Sequence, residues 1–139
     1  MAETAQDGKL QVRLVTADRE LVDTSANAVE LPGRSGYLEV LYGAAPLLTE
    51  LGTGLVTIHG AEGGDMRYYV AWGFAEVLPN RVTILAESAE KPETIDVSAA
   101  QAEYERGQKM WEQAGEHAHQ YERANEMMRD AQARIDSKN

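Results

Sequence analysis

The pattern of this chain changes once, at Pro92, and that change limits what it can fold into. Ten of its twelve glycines lie before Pro92. There they punctuate short apolar runs in the way that turns punctuate strands. After Pro92, Ala, Glu, Gln, Arg and Met dominate, and all of these except a few turn residues are good helix formers. The sequence therefore predicts a β-rich segment followed by a helical one.

Within the first segment, Leu10, Val12 and Leu14 alternate with Gln11, Arg13 and Val15, a period of two. Short runs follow at residues 28–31 (stopped by Pro32-Gly33), 37–41, 54–59, 66–71, 74–78 and 82–86. Glu62-Gly63-Gly64-Asp65 supplies the positive-φ residues of a tight hairpin, and Pro79-Asn80-Arg81 marks a second turn. Strands this short and regularly spaced predict a β-sandwich or barrel. In the second segment, Asp96 or Ser98 can cap a first helix. Its stripe is Ala100, Tyr104, Gly107, Trp111 and Ala114. Gly115 breaks the run, and Ala118, Tyr121, Asn125, Met128 and Ile135 continue a similar stripe. The expected fold class is α+β: an N-terminal antiparallel β-sandwich over residues 1–90, then a C-terminal αα-hairpin over residues 91–139.

The 139 residues carry 23 acidic and 13 basic side chains, a formal net charge of −10. That balance argues against nucleic acid, which demands a basic footprint, and against a polybasic membrane anchor. With no cysteine there is no disulfide framework, thiolate metal site or cysteine nucleophile. Residues 1–7 hold acids and no apolar run, which reads as no secretory signal. No stretch approaches the roughly 18 apolar residues of a membrane span.

Chemistry is sparse. Of the three histidines, His117 and His119 are two apart and point away from each other on a helix. His59 ends a strand beside a turn and reads as solvated. Glu62 and Asp65 read as solubility charges of a hairpin tip. Gly33-Arg34-Ser35-Gly36 lacks the Gly-Lys-Ser/Thr of a phosphate loop and reads as a strand-joining turn. No serine sits in a nucleophile elbow. The residues point to a non-catalytic interaction protein with no catalytic residue, metal or cofactor.

A resemblance goes further. Residues 31–49, Leu-Pro-Gly-Arg-Ser-Gly-Tyr-Leu-Glu-Val-Leu-Tyr-Gly-Ala-Ala-Pro-Leu-Leu-Thr, resemble a signature of the epsilon subunit of the rotary F-type ATP synthase. So do Leu51-Gly52-Thr53-Gly54, Gly73-Phe74-Ala75-Glu76-Val77, residues 80–87 and Ile95-Asp96, in the same order and spacing. Four positions depart from the family pattern: Glu39 replaces Gly, Tyr42 Pro, Ala44 His, and Trp72 the first Gly of Gly-Gly-Phe. The last replacement suggests backbone at residue 72 that needs no positive φ.

The resemblance implies a mechanical part of the central stalk. The sandwich would grip the gamma subunit and rest on the c-ring, coupling ring rotation to ATP synthesis. It implies a peripheral place on the cytoplasmic face of the bacterial inner membrane, reached only through the complex. Ser35, Gly36, Tyr37, Tyr42, Gly43 and Ala44 match ring-facing positions. Extended, the hairpin would reach the alpha and beta catalytic subunits, with Arg123, Arg129 and Arg134 as inhibitory contacts. Their interleaving with Glu122, Glu126, Asp130 and Asp136 makes any brake on hydrolysis weak. Glu90, Ile95, Asp96 and Arg106 match a degenerate ATP site. Ala99 stands where the first phosphate-binding Arg belongs and Glu103 where an Ala does, so ATP binding should be weak or absent. The alternative is a free nucleotide sensor that uses the same hairpin.

Overall fold

The computed structural model describes residues 8–138, so the reading of residues 1–7 lies outside the described residues. The chain divides into two compact units, Met1–Glu90 and Lys91–Asn139.

The first unit is built from β1 (Leu10–Val15), β2 (Glu20–Ala26), β3 (Ala28–Gly33), β4 (Gly36–Leu41), β5 (Leu47–His59), β6 (Met66–Leu78) and β7 (Arg81–Glu90). They hydrogen-bond in the order β2-β1-β7-β6-β5-β3-β4. Pairings are antiparallel except for β1 beside β7, which run parallel. Both β5 and β6 are 13 residues long, and each serves both layers. Leu51 faces inward early in β5, but Val56 and Ile58 do so later; Val70 faces inward early in β6, but Ala75 and Val77 do so later. The buried parity thus switches midway along each strand. In a strand, such a switch needs a residue out of the extended pattern. Gly54 (φ +151°), Trp72 (φ +59°) and Gly73 (φ +120°) supply it. The core between the layers includes Leu10, Val12, Leu14, Leu31, Val56, Val70, Val77 and Ile84.

The strands differ at three places from the runs read in the sequence. The runs at residues 66–71 and 74–78 form one strand, because Trp72 takes the positive φ that a non-Gly residue seemed to exclude. Residues 47–53 belong to β5 despite their glycines. The polar segment at residues 20–26 is the edge strand β2, which buries only Val22 and Ala26.

In the second unit a short 3-10 turn (Pro92–Thr94) leads to α1 (Val97–Glu112) and α2 (Ala118–Lys138). Asp96 caps α1 by accepting the Ala99 N–H at 3.1 Å. Gly115, at φ +59°, sits in the turn between the helices. The seam is narrower than the sequence stripe suggested. Ala100, Gly107, Ala114, Ala124 and Ala131 are buried, Ala124 in place of Asn125. The large residues sit at its margin, where the Trp111 and Tyr121 rings meet edge-to-face at 5.4 Å.

Candidate functional site

The outer face of the β5–β6–β7 layer exposes several large apolar side chains. Phe74 and Leu85 are direct cross-strand partners, and they are 49% and 52% exposed. Leu48, 70% exposed, pairs with Glu76 and so lies diagonal to Phe74. Val15 pairs with Leu85 on the other side. Glu50, Glu76 and Glu87 are exposed around this strip. Contiguous apolar surface inside a polar rim marks an interaction surface. The sequence analysis did not single it out. Parity within the strands could have done so, since Phe74 and Glu76 alternate with the buried Ala75 and Val77.

Beside the strip, Arg34 reaches from the β3–β4 turn. Its guanidinium donates to Glu50 at 3.0 Å and lies 5.7 Å from the centre of the Trp72 ring. Its backbone N–H donates to the Glu50 carbonyl at 3.2 Å. Glu50 in turn pairs with Phe74, so Trp72, Arg34, Glu50 and Phe74 are neighbours. The Tyr37 hydroxyl of the same turn accepts the Leu55 N–H at 3.0 Å. Gly54 makes that possible, because a Cβ there would collide with the hydroxyl.

The residues matched to ring contact do not form one cluster. Ser35, Gly36 and Tyr37 lie at the start of β4, and Tyr42, Gly43 and Ala44 follow its end. Five strand steps separate Gly36 from Leu41, roughly 17 Å. The second group sits by the β6–β7 turn, where the Gly43 N–H donates to the Pro79 carbonyl at 2.7 Å.

The nucleotide-matched residues fall in both units. Glu90 ends β7 in the first unit. In the second, Ile95 is buried, Asp96 is engaged as the α1 cap, and Arg106 lines a shallow surface hollow with Ala99, Ala102, Glu105 and Lys109. On α2, Arg123 and Arg129 are exposed and Arg134 half-buried. At about 100° per residue, Arg123 and Arg134 share a side and Arg129 lies about 120° round the helix. The three do not present one basic face.

His59 is not simply solvated. Its Nε2 lies 2.6 Å from Glu30 on β3, and its Nδ1 lies 3.3 Å from Asp65. Asp65 also accepts the Gly60 N–H at 2.8 Å, so it organises the turn rather than only solubilising it. Hydrogen bonds to the carboxylates of Glu30 and then Asp65 raise the His59 pKa above its ordinary 6.5. The Gly60 N–H, and then His59, lower that of Asp65 below 3.8. The His59 contribution is therefore complete below about pH 6.5 and fades as pH rises through its raised value. The Asp65 contribution is present above its unfolded value and fades as pH falls through its lowered one. Melting followed by circular dichroism should show the sandwich losing on the order of a few °C from pH 6 to 8, as befits an exposed cluster. His59→Gln should flatten that slope; an unchanged slope would show that the cluster does not couple to folding.

Among the described residues, no group of three or more His, Cys, Asp or Glu could hold a metal ion, and no helix is long and apolar enough to cross a membrane. Residues 9–92 match the family described as "ATP synthase, Delta/Epsilon chain, beta-sandwich domain". The chain is 44% identical over 106 residues to an ATP synthase epsilon chain of Koribacter versatilis, covering 76% of this chain and 73% of that one. It is 45% identical over 93 residues to one from a Synechococcus strain, covering 67% of each. Among solved structures it resembles a chain of the Euglena gracilis mitochondrial ATP synthase, with a TM-score of 0.77 at 22% identity, over 96% of this chain and 85% of that one. A chain of the Tetrahymena thermophila mitochondrial ATP synthase central stalk and c-ring gives 0.67 at 15% identity, over 97% and 100%. At those identities the two likenesses speak to the fold alone.

Proposed function

The chain belongs to the ATP synthase delta/epsilon family, and on that membership we propose that it is a non-catalytic stalk part whose outer β5–β6–β7 face binds the gamma subunit. The observation that carries this is the exposed strip Leu48, Phe74 and Leu85 within its acidic rim. Leaving three large apolar side chains in water is unfavourable, and covering them favours association. The β3–β4 turn with the start of β4, residues 34–37, is the end we assign to the c-ring. Its backbone is held to β5 through Glu50 and its Tyr37 through Leu55, and a contact that passes on rotation must keep its shape. The chain would reach the cytoplasmic face of a bacterial membrane only through these partners.

The hairpin's part is smaller in this reading. Arginines spread round α2 favour a weak brake on hydrolysis through the alpha and beta subunits. A helix cap at Asp96 and alanine at residue 99 disfavour tight ATP binding, and with it the free nucleotide sensor.

The natural absence of cysteine makes the test clean. Single cysteines would be introduced at Ser35, Ala44 and Leu85 and crosslinked within the assembled synthase. Leu85→Cys is expected to capture gamma, Ser35→Cys the c-ring, and Ala44→Cys neither. Failure of Leu85→Cys to capture gamma, with the enzyme assembled, would overturn the reading of this face.

A further inference from the structure

We propose that Trp72 is the specificity-determining anchor of the outer face, seated in an apolar recess of the gamma subunit and held in readiness by Arg34. This rests on the reading that gamma covers the face. The first observation is the backbone. Trp72 is the one non-glycine residue with positive φ among the described residues, in the middle of a strand. A bulky side chain in that region is strained, and such strain persists where the surroundings over-determine it and concentrates at functional sites. Glycine would make the same parity switch without strain, so the turn itself does not require tryptophan.

The second observation is the company that the ring keeps. Trp72 is only half-buried, so its own unit does not use all of its surface. Arg34 stacks over it, and the 3.0 Å bridge to Glu50 holds Arg34 in place. That arrangement fixes the positions of two flexible side chains before any partner arrives, which lowers the ordering cost of binding. Tryptophan and arginine are also the residue types that most often dominate interface energetics.

The third observation is continuity and charge. Through Arg34 and Glu50 the ring adjoins Phe74, and beyond it Leu85. Arg34 already neutralises Glu50, whereas among the described residues Glu76 and Glu87 make no ion pair. The complementary surface is therefore an apolar recess for the indole with basic side chains where it meets Glu76 and Glu87. A gamma subunit lacking that recess would be refused by steric conflict, which is how one interface discriminates among similar partners.

The experiment uses the full chain and its cognate gamma subunit. Affinity would be measured by calorimetry and melting by circular dichroism for the parent, Trp72→Gly, Trp72→Phe and Phe74→Glu. Trp72→Gly is expected to weaken gamma binding at least tenfold, about 1.4 kcal/mol, while melting stays within a few °C of the parent or rises as the positive φ is relieved. Trp72→Phe should recover part of the affinity. Parent-like affinity in Trp72→Gly with binding lost in Phe74→Glu would overturn the anchor and leave the face reading standing. Parent-like affinity in both would overturn the two together. A loss of affinity in Trp72→Gly accompanied by a proportionate fall in melting would also overturn it, since the ring would then be a brace of the β3–β4 turn.

Discussion

Replacing Gly73 with alanine is expected to cost the sandwich about 4 kcal/mol, the largest effect of any single methyl group added to this chain. Two costs combine. The residue sits at φ +120°, where a side chain carries about 1–3 kcal/mol of strain. The added Cβ would also collide with the Leu85 carbonyl oxygen and lie 3.0 Å from the Ala86 Cα. Both obstacles are backbone of the paired strand β7, so no rotamer change relieves them, and overpacking of this kind adds about 1–3 kcal/mol. A domain of this size has about 5–15 kcal/mol in all, so the variant should melt roughly 15–30 °C lower. Urea unfolding of the full chain, followed by tryptophan fluorescence, measures it directly. A loss below about 1 kcal/mol would mean that β6 and β7 can separate at this point without consequence.

The second large effect is expected in the helical unit. Gly107 lets α1 and α2 approach closely: a Cβ there would stand 2.7 Å from Met128 Cγ and 3.3 Å from both the Ala124 carbonyl and the Met128 nitrogen. Alanine would gain about 1 kcal/mol of helix propensity and could be accommodated by a turn of the flexible Met128 side chain. Valine could not, because its second branch must meet the α2 backbone. Gly107→Val should cost the hairpin about 2–3 kcal/mol through overpacking. The seam is made of Ala100, Ala114, Ala124 and Ala131, which bury little area, so this is a large share of what holds the helices together. Amide hydrogen exchange along α1 and α2 should accelerate while the strands stay protected. Unaltered exchange in Gly107→Val would show that the seam tolerates separation.

Much of this was written in local pattern. The change at Pro92, the glycine turn at Gly63-Gly64 (φ +88° and +106°) and the Asp96 cap all follow from one residue's preference or a short run. What escaped was decided by tertiary context. β2 is an edge strand with a single buried large residue, Val22, so it shows no apolar alternation to detect. Trp72 has the conformation that its residue type disfavours, held by β5 and β7 on either side. The α2 seam shifted by one position, from Asn125 to Ala124, because close helix approach selects small residues over the nearest heptad slot. His59 looked solvated because its partner Glu30 is 29 residues away on β3. The two groups matched to ring contact, residues 35–37 and 42–44, lie at opposite ends of β4, a separation that the motif match carries no information about.

The passage of β5 and β6 through both layers bears on how the first unit takes a sideways load. In a sandwich whose layers meet only through side chains, a shearing force is opposed by interdigitated apolar groups, which can slip past one another. Here eleven registered residue pairs between β5 and β6, from Leu47–Val77 to Ile58–Met66, span the boundary, with one gap at Gly52 and Trp72. To slide one layer over the other, two covalent chains would have to stretch and their ladder of hydrogen bonds would have to fail together rather than one rung at a time. A force applied at the β3–β4 turn is thus delivered to the far layer along peptide bonds. The two layers are thereby joined by continuous chain as well as by side-chain packing.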